Sequence, residues 1–184
     1  MAAELALDED IYLCPYDPDW PAQFALEAER LRPVLPPDAA VEHIGSTSVS
    51  GPPEKPMLAK PIIDILVGLQ PDSTAAVRAK LVSVGYEDMG EAGVPGRLYF
   101  RRRTGPSFNV HVTSYGGPIW RANLALRDFL LAHPEAVAEY TEAKSAALDD
   151  GCNTLLRYSD HKSATIRRLL NSALEWTAQN SISG

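Results

Sequence analysis

Glu42-His43-Ile44-Gly45-Ser46-Thr47-Ser48-Val49, followed by Lys60-Pro61-Ile62-Ile63-Asp64-Ile65-Leu66-Val67, reads as a strand entering a small-residue turn and then a second apolar strand interrupted by one carboxylate. A strand of this apolar kind has no structural use for an aspartate. Desolvating an unpaired carboxylate costs several kcal/mol or forces it to take up a proton. Asp64 is therefore the leading functional residue.

The turn before it points to the same chemistry. Gly45, Ser46, Thr47 and Ser48 supply a flexible backbone, N–H groups and three hydroxyls, the ingredients for gripping phosphate oxygens. A hydroxyl-rich turn of purely local use has the same composition, and the lysine of a Walker A loop is missing. The pairing with Asp64 strengthens the phosphate reading, because an aspartate on the next strand would hold Mg²⁺ against the same phosphates. His43 and His111 also lie on predicted strands. Each is explained by hydrogen bonding within a sheet, or else the two converge with Asp64 on a divalent metal, or His111 acts as a general base near neutral pH. Lys60, Arg97 and Lys162 read either as solvated charges or as groups that neutralise a triphosphate. Cys152 has no base nearby in sequence and is not proposed as a nucleophile.

The remaining pattern builds outward from these two strands. Asp19 is an N-cap with Pro21 in the first turn, and Phe24, Ala28, Leu31 and Leu35 share one helical face, ended by Pro33 and Pro36-Pro37. A short extended start is expected over 11–13. Strands are expected over 40–44, 61–69, 97–103 and 107–113, the last two joined as a hairpin through Thr104-Gly105-Pro106. In the last strand Phe108, Val110 and Val112 face one way, and Asn109, His111 and Thr113 the other. Asp72 or Ser73 caps a helix carrying Val77, Leu81 and Val84 and closed by Gly85. Three further helices are expected over 119–132, 134–148 and 160–179, the last capped by Ser159 or Asp160. The sum is an α+β layout with a helical C-terminal part.

At 184 residues the chain fits one domain spanning 1–184, and its 45% apolar and 22% charged residues are ordinary for a folded protein. A net charge of −7 and a pI near 5.1 argue against a nucleic-acid partner held through phosphates. Two distant cysteines suggest a reduced chain rather than a disulfide scaffold. The acidic start and the lack of any membrane-length apolar run lead to the expectation of a soluble, cytoplasmic protein.

Taken together, Tyr16-Asp17-Pro18-Asp19-Trp20-Pro21, the Glu42–Val49 and Lys60–Ile65 segments, Pro95-Gly96-Arg97, Asn109-Val110-His111-Val112, Arg127-Asp128 with His133-Pro134-Glu135, and Tyr158-Ser159-Asp160 with Lys162 resemble the GrpB-like family (UPF0157). This is a branch of the nucleotidyltransferase superfamily, found joined to dephospho-CoA kinase in some proteins. The resemblance implies a polymerase-β-like fold with a mixed sheet flanked by helices. It also implies binding of a nucleoside triphosphate with Mg²⁺ and transfer of a nucleotidyl group to an acceptor hydroxyl. On that pattern Gly45 and Ser46 hold the triphosphate, Asp64 binds metal, and the His111 strand lies where a further carboxylate usually sits. The sequence departs from the pattern at Leu66, where a second carboxylate is usual, and at Asn109 and His111. A binding module for a nucleotide or phosphometabolite without catalysis, linked to coenzyme A metabolism, is the alternative. A His43, Asp64 and His111 metal-dependent hydrolase is a third.

Overall fold

The computed structural model describes residues 8–70 and 74–181. In chain order the elements are β1 (Cys14–Pro15), α1 (Trp20–Leu31), β2 (Ala40–Ile44), β3 (Leu58–Ala59), β4 (Ile62–Leu69), α2 (Thr74–Ser83), β5 (Glu87–Asp88), β6 (Leu98–Arg102) and β7 (Ser107–Ser114). The helices α3 (Pro118–Ala132), α4 (Pro134–Asp149), α5 (Leu155–His161) and α6 (Ser163–Ser181) complete the chain. Short 3₁₀ turns stand at Arg32–Val34 and Ser46–Ser48. This is an α+β protein with a mixed sheet, flanking helices and a helical C-terminal part. The described residues group into two compact units, one of 17–48 and 62–121, the other of 8–16, 49–61 and 122–181.

The first, or sheet, unit holds five strands in the order β2-β4-β7-β6-β5, with β4 and β7 parallel and the other pairs antiparallel. Register divides its residues between two faces. His43 pairs with Ile65 and Ile44 with Asp64, so His43 shares a face with Ile63, Ile65 and Val67, while Asp64 lies on the other. Across the parallel pair Asp64 lies opposite Asn109 and Leu66 opposite His111; Tyr99 of β6 then pairs with His111. The polar side of β7 therefore joins Asp64, as the alternation predicts.

Helix α1 packs on the face opposite Asp64. Its N-cap is Asp19 with proline in the first turn, as expected, although the Asp19 side chain makes no capping bond and the Asp17 carboxylate accepts the Asp19 N–H at 2.9 Å. Trp20, Ala28 and Leu31 are buried, and the Phe24 ring stacks on His43 with centroids 4.7 Å apart. Ile63, Ile65, Val67, Phe100, Phe108 and Val110 form the core on this side, each apolar side chain contributing about 1.5–3 kcal/mol on burial. Buried Glu27 accepts from Arg30 at 2.6 Å, Tyr86 Oη at 2.8 Å and Arg102 at 2.5 Å, tying α1 to β6. Burial, and next the Glu27 charge, push the Tyr86 phenol well above its ordinary pKa. On the Asp64 face, Gly68 lets Trp120 approach so closely that a Cβ there would stand 2.6 Å from Trp120 Cζ3.

The second, or helical, unit pairs β1 with β3 antiparallel and packs Val49, Met57, Leu130, Ala136, Val137, Tyr140 and Leu169 into one core. Lys144 is buried there, donating to Leu58 O at 2.6 Å and Met57 Sδ at 3.0 Å, with its ammonium 3.9 Å from the Tyr140 ring centroid.

Two expectations need correction. The helix expected over 160–179 is two helices, α5 and α6, and Ser159 and Asp160 lie inside α5 instead of capping. The break falls at Lys162, whose N–H bonds back to Tyr158 O while its Nζ donates to Tyr140 Oη at 3.2 Å. Tyr140 is a partner 22 residues away, invisible to a local periodicity that continues through the break. The early extended segment is Cys14–Pro15 rather than 11–13, because pairing with Leu58–Ala59 decides where it forms. The expected cap at Asp72 or Ser73 lies outside the described residues; the α2 terminus at Gly85 is as expected, with φ +92° and Tyr86 N–H bonded to Leu81 O.

Candidate functional site

Asp64 sits on β4 with its side chain 25% exposed, and each carboxylate oxygen has a distinct neighbourhood. Oδ1 accepts from Asn109 Nδ2 at 2.7 Å and from His111 Nε2 at 3.1 Å. Oδ2 faces the turn after β2: a Cβ built on Gly45 would stand 2.6 Å from it, and Gly45 has φ +72°. Position 45 is thus restricted to glycine twice over, by backbone conformation and by the close approach of Asp64.

The two groups that hold Oδ1 are themselves oriented. Arg103 Nη2 lies 2.9 Å and Tyr99 Oη 2.8 Å from one end of the Asn109 amide. A guanidinium only donates, so that end is the carbonyl oxygen and the NH₂ is turned to Asp64. The same logic settles His111. Arg97 Nη1 lies 3.4 Å from Nδ1, so Nδ1 is the acceptor and Nε2 carries the proton donated to Asp64. Arg97 also donates from Nη2 to Glu91 O at 3.1 Å and Ala92 O at 3.0 Å, and its guanidinium stacks over Tyr99 at 5.0 Å. Burial lowers the Arg97 pKa, with Tyr99 and Asp64 acting in the opposite sense. One carboxylate is therefore braced by an amide and an imidazole, each backed by an arginine.

The predicted site residues divide clearly. Gly45, Asp64, His111 and Arg97 come together in the sheet unit, with Ser46 half-buried at the start of the turn. Thr47 is buried, its hydroxyl 3.0 Å from His43 Nε2, and Ser48 returns both N–H and Oγ to Gly45 O, bonds that shape the turn. His43 is corrected as a metal ligand: register puts it on the face opposite Asp64, stacked on Phe24. The metal set of His43, Asp64 and His111 is thus not assembled, and no group of three or more His, Cys, Asp or Glu side chains suited to a metal occurs among the described residues. Lys60 and Lys162 belong to the helical unit, where Lys162 lies over the rings of Tyr158 and Tyr140. The sequence reading missed the bracing roles of Asn109, Tyr99 and Arg103. The polar alternation of β7 was the available signal for Asn109; nothing local marks the other two.

Residues 10–172 match the family described as GrpB protein, and the chain belongs to that family. It is 32% identical over 164 residues to UPF0157 protein YqkA of Bacillus subtilis, covering 88% of this chain and 46% of that protein, so it spans about half of that relative. It is 31% identical over 189 residues to a dephospho-CoA kinase of Mycobacterium tuberculosis, covering 89% of this chain and 46% of that protein. The crystal structure of conserved protein GrpB from Enterococcus faecalis superposes with TM-score 0.79 at 31% identity, over 90% of this chain and 99% of that one. A Cid1 poly(U) polymerase structure bound to MgATP aligns more loosely, with TM-score 0.43 at 15% identity over 71% of this chain and 45% of that one. No helix among the described residues is long and apolar enough to cross a membrane.

Proposed function

We propose that the sheet unit binds the phosphate chain of a nucleoside triphosphate with Mg²⁺ at the Gly45–Ser46 turn and Asp64, and that the chain transfers the nucleotidyl group to an acceptor hydroxyl. The observation that carries this reading is the meeting of Gly45 with Asp64 Oδ2, a turn without a side chain held against an anionic oxygen. Magnesium keeps water and phosphate ligands and asks for only one or two carboxylates from a protein. A single ion carried with the phosphates fits Asp64. Two ions do not, because Leu66, fully buried, and Asn109 stand where further carboxylates would be needed. When bound, the ion supplies charge neutralisation on the phosphates. His111 and Asn109 hold Asp64 through Oδ1, and Arg97 and Arg103 fix their orientation; on this reading His111 is a positioning residue. In the transfer, the acceptor oxygen forms a bond to the α-phosphorus as the bond to pyrophosphate breaks, and the proton of the acceptor hydroxyl is released to solvent.

The braced carboxylate and buried Leu66 favour one second reading, a nucleotide or phosphometabolite binder without turnover. The kinship with a dephospho-CoA kinase puts dephospho-CoA and coenzyme A among the ligands to try. The test is a thermal-shift series with the four nucleoside triphosphates, coenzyme A and dephospho-CoA, with and without Mg²⁺, combined with a pyrophosphate-release assay. Ligand at ~100 times its Kd stabilises by about 2.7 kcal/mol. Metal-dependent stabilisation that Asp64→Asn abolishes supports the proposal, whereas binding indifferent to both metal and Asp64 refutes it. Binding with no pyrophosphate release in any acceptor mixture favours the second reading.

A further inference from the structure

Beyond His111 on the same side of β7 lies Thr113, and beside it a cavity of about 260 Å³ within the sheet unit. Its walls are Pro95 and Gly96, Thr113 and Ser114, and Pro118 and Ile119 at the first turn of α3. Four features define what it accepts. Among the described residues no charged side chain lines it, which disfavours a phosphate chain. Two proline rings and an isoleucine make its walls apolar. Thr113 is 5% exposed, and its Oγ1 is buried with no hydrogen-bond partner among the described residues. A buried hydroxyl left unpaired is costly, and native proteins satisfy such groups almost without exception. The positive end of the α3 dipole at Pro118 adds a preference for an electron-rich atom on the guest.

Position supplies the next step. Thr113 is four residues beyond Asn109, the partner of Asp64 in the register, hence about 13 Å along the sheet at ~3.3 Å per residue. Pro95 and Gly96 lead directly into Arg97, which contacts His111. The cavity is thus a neighbour of the Asp64 centre on the same face, at the reach of a ligand with phosphates at one end and a ring at the other. We infer that this cavity is the ring subsite of the nucleotide: it takes the neutral base, with Thr113 Oγ1 hydrogen-bonded to a ring nitrogen or carbonyl oxygen and Pro95, Pro118 and Ile119 against its faces. The identity of the ligand rests on the reading proposed above. The volume is below the usual range for a whole drug-sized ligand and suits one ring system rather than an entire nucleotide.

The experiment is amide chemical-shift mapping of the full chain with adenosine, guanosine, cytidine and uridine, and separately with tripolyphosphate and Mg²⁺. At least one nucleoside is expected to shift the Thr113, Ser114 and Gly117 amides, and tripolyphosphate to shift Gly45 and Ser46 instead. Thr113→Val is expected to leave Tm unchanged or raise it, since it removes an unpaired hydroxyl. It should also weaken the preferred nucleoside triphosphate about tenfold without changing tripolyphosphate affinity. Ile119→Trp, which fills the cavity, should abolish the nucleoside shifts. Nucleosides that leave all three amides unmoved overturn the inference, as does a Thr113→Val variant that loses Tm or binds every nucleotide as the native protein does. If nucleosides shift these amides and tripolyphosphate binds nowhere near Gly45, the subsite stands and the phosphate reading of Asp64 fails.

Discussion

Replacing Gly45 by alanine tests the contact on which the functional reading depends. Two costs add. Holding an L-residue at φ +72° costs about 1–2 kcal/mol. The new Cβ would also lie 2.6 Å from Asp64 Oδ2 and 3.2 Å from both Cβ and Cγ of Asp64, so the carboxylate must turn away and strain or release its bonds from Asn109 and His111. A hydrogen bond to a charged group is worth about 1.5–3 kcal/mol, which sets the second cost at about 1–3 kcal/mol if the two bonds are weakened rather than lost. The expected total is about 2–5 kcal/mol. Urea denaturation of the four members of a Gly45→Ala and Asp64→Ala cycle separates the terms. In the Asp64→Ala background the carboxylate clash is gone, while the backbone cost and the 3.2 Å contact with the Cβ of residue 64 remain, so Gly45→Ala should cost at least about 1–2 kcal/mol there and the coupling should be about 1–3 kcal/mol. A coupling within ~0.5 kcal/mol of zero would show that the turn does not press on Asp64, and the site as described would be wrong.

Other predictions concern the frame around the site. Glu27→Ala strands Arg102 beside a buried phenol, and breaking a buried ion pair costs about 3–5 kcal/mol; a denaturation midpoint unchanged from the native protein would contradict the network of Glu27, Tyr86 and Arg102. Leu66→Asp, at a fully buried position, should destabilise the fold by several kcal/mol and should not improve Mg²⁺-dependent nucleotide binding; calorimetric titration with Mg²⁺ and nucleotide checks the second part. Burial and the Glu27 charge raise the Tyr86 pKa in the folded state. That contribution is therefore complete below the unfolded phenol's pKa of about 10 and is lost as pH rises above it. Tyr86→Phe should flatten the alkaline fall in stability seen by fluorescence, and an unchanged slope would remove Tyr86 from its cause.

Much of the architecture is legible in the residues themselves. Asp19 with Pro21, the glycine at 85, the hairpin across Thr104-Gly105-Pro106 and the alternation of Phe108 to Thr113 act within a few residues, where dihedral preference and side-chain spacing decide structure. Asp64 is visible for the same reason, as a carboxylate out of place in an apolar run. What surrounds it is not local. Asn109 and His111 reach Asp64 across 45 and 47 residues, and Tyr99 and Arg103 act one step further out. His43 shows how sharply this limits inference: strand side chains alternate, so pairing with Ile65 rather than with Asp64 carries its ring to the other side of the sheet. The sequence by itself determined the four longer strands and the helices before residue 150, the order in which they occur and the one carboxylate that no core would choose. Only the tertiary structure decided which donors hold that carboxylate and which histidine stands beside it, because both depend on strand register and on contacts between residues far apart in the chain.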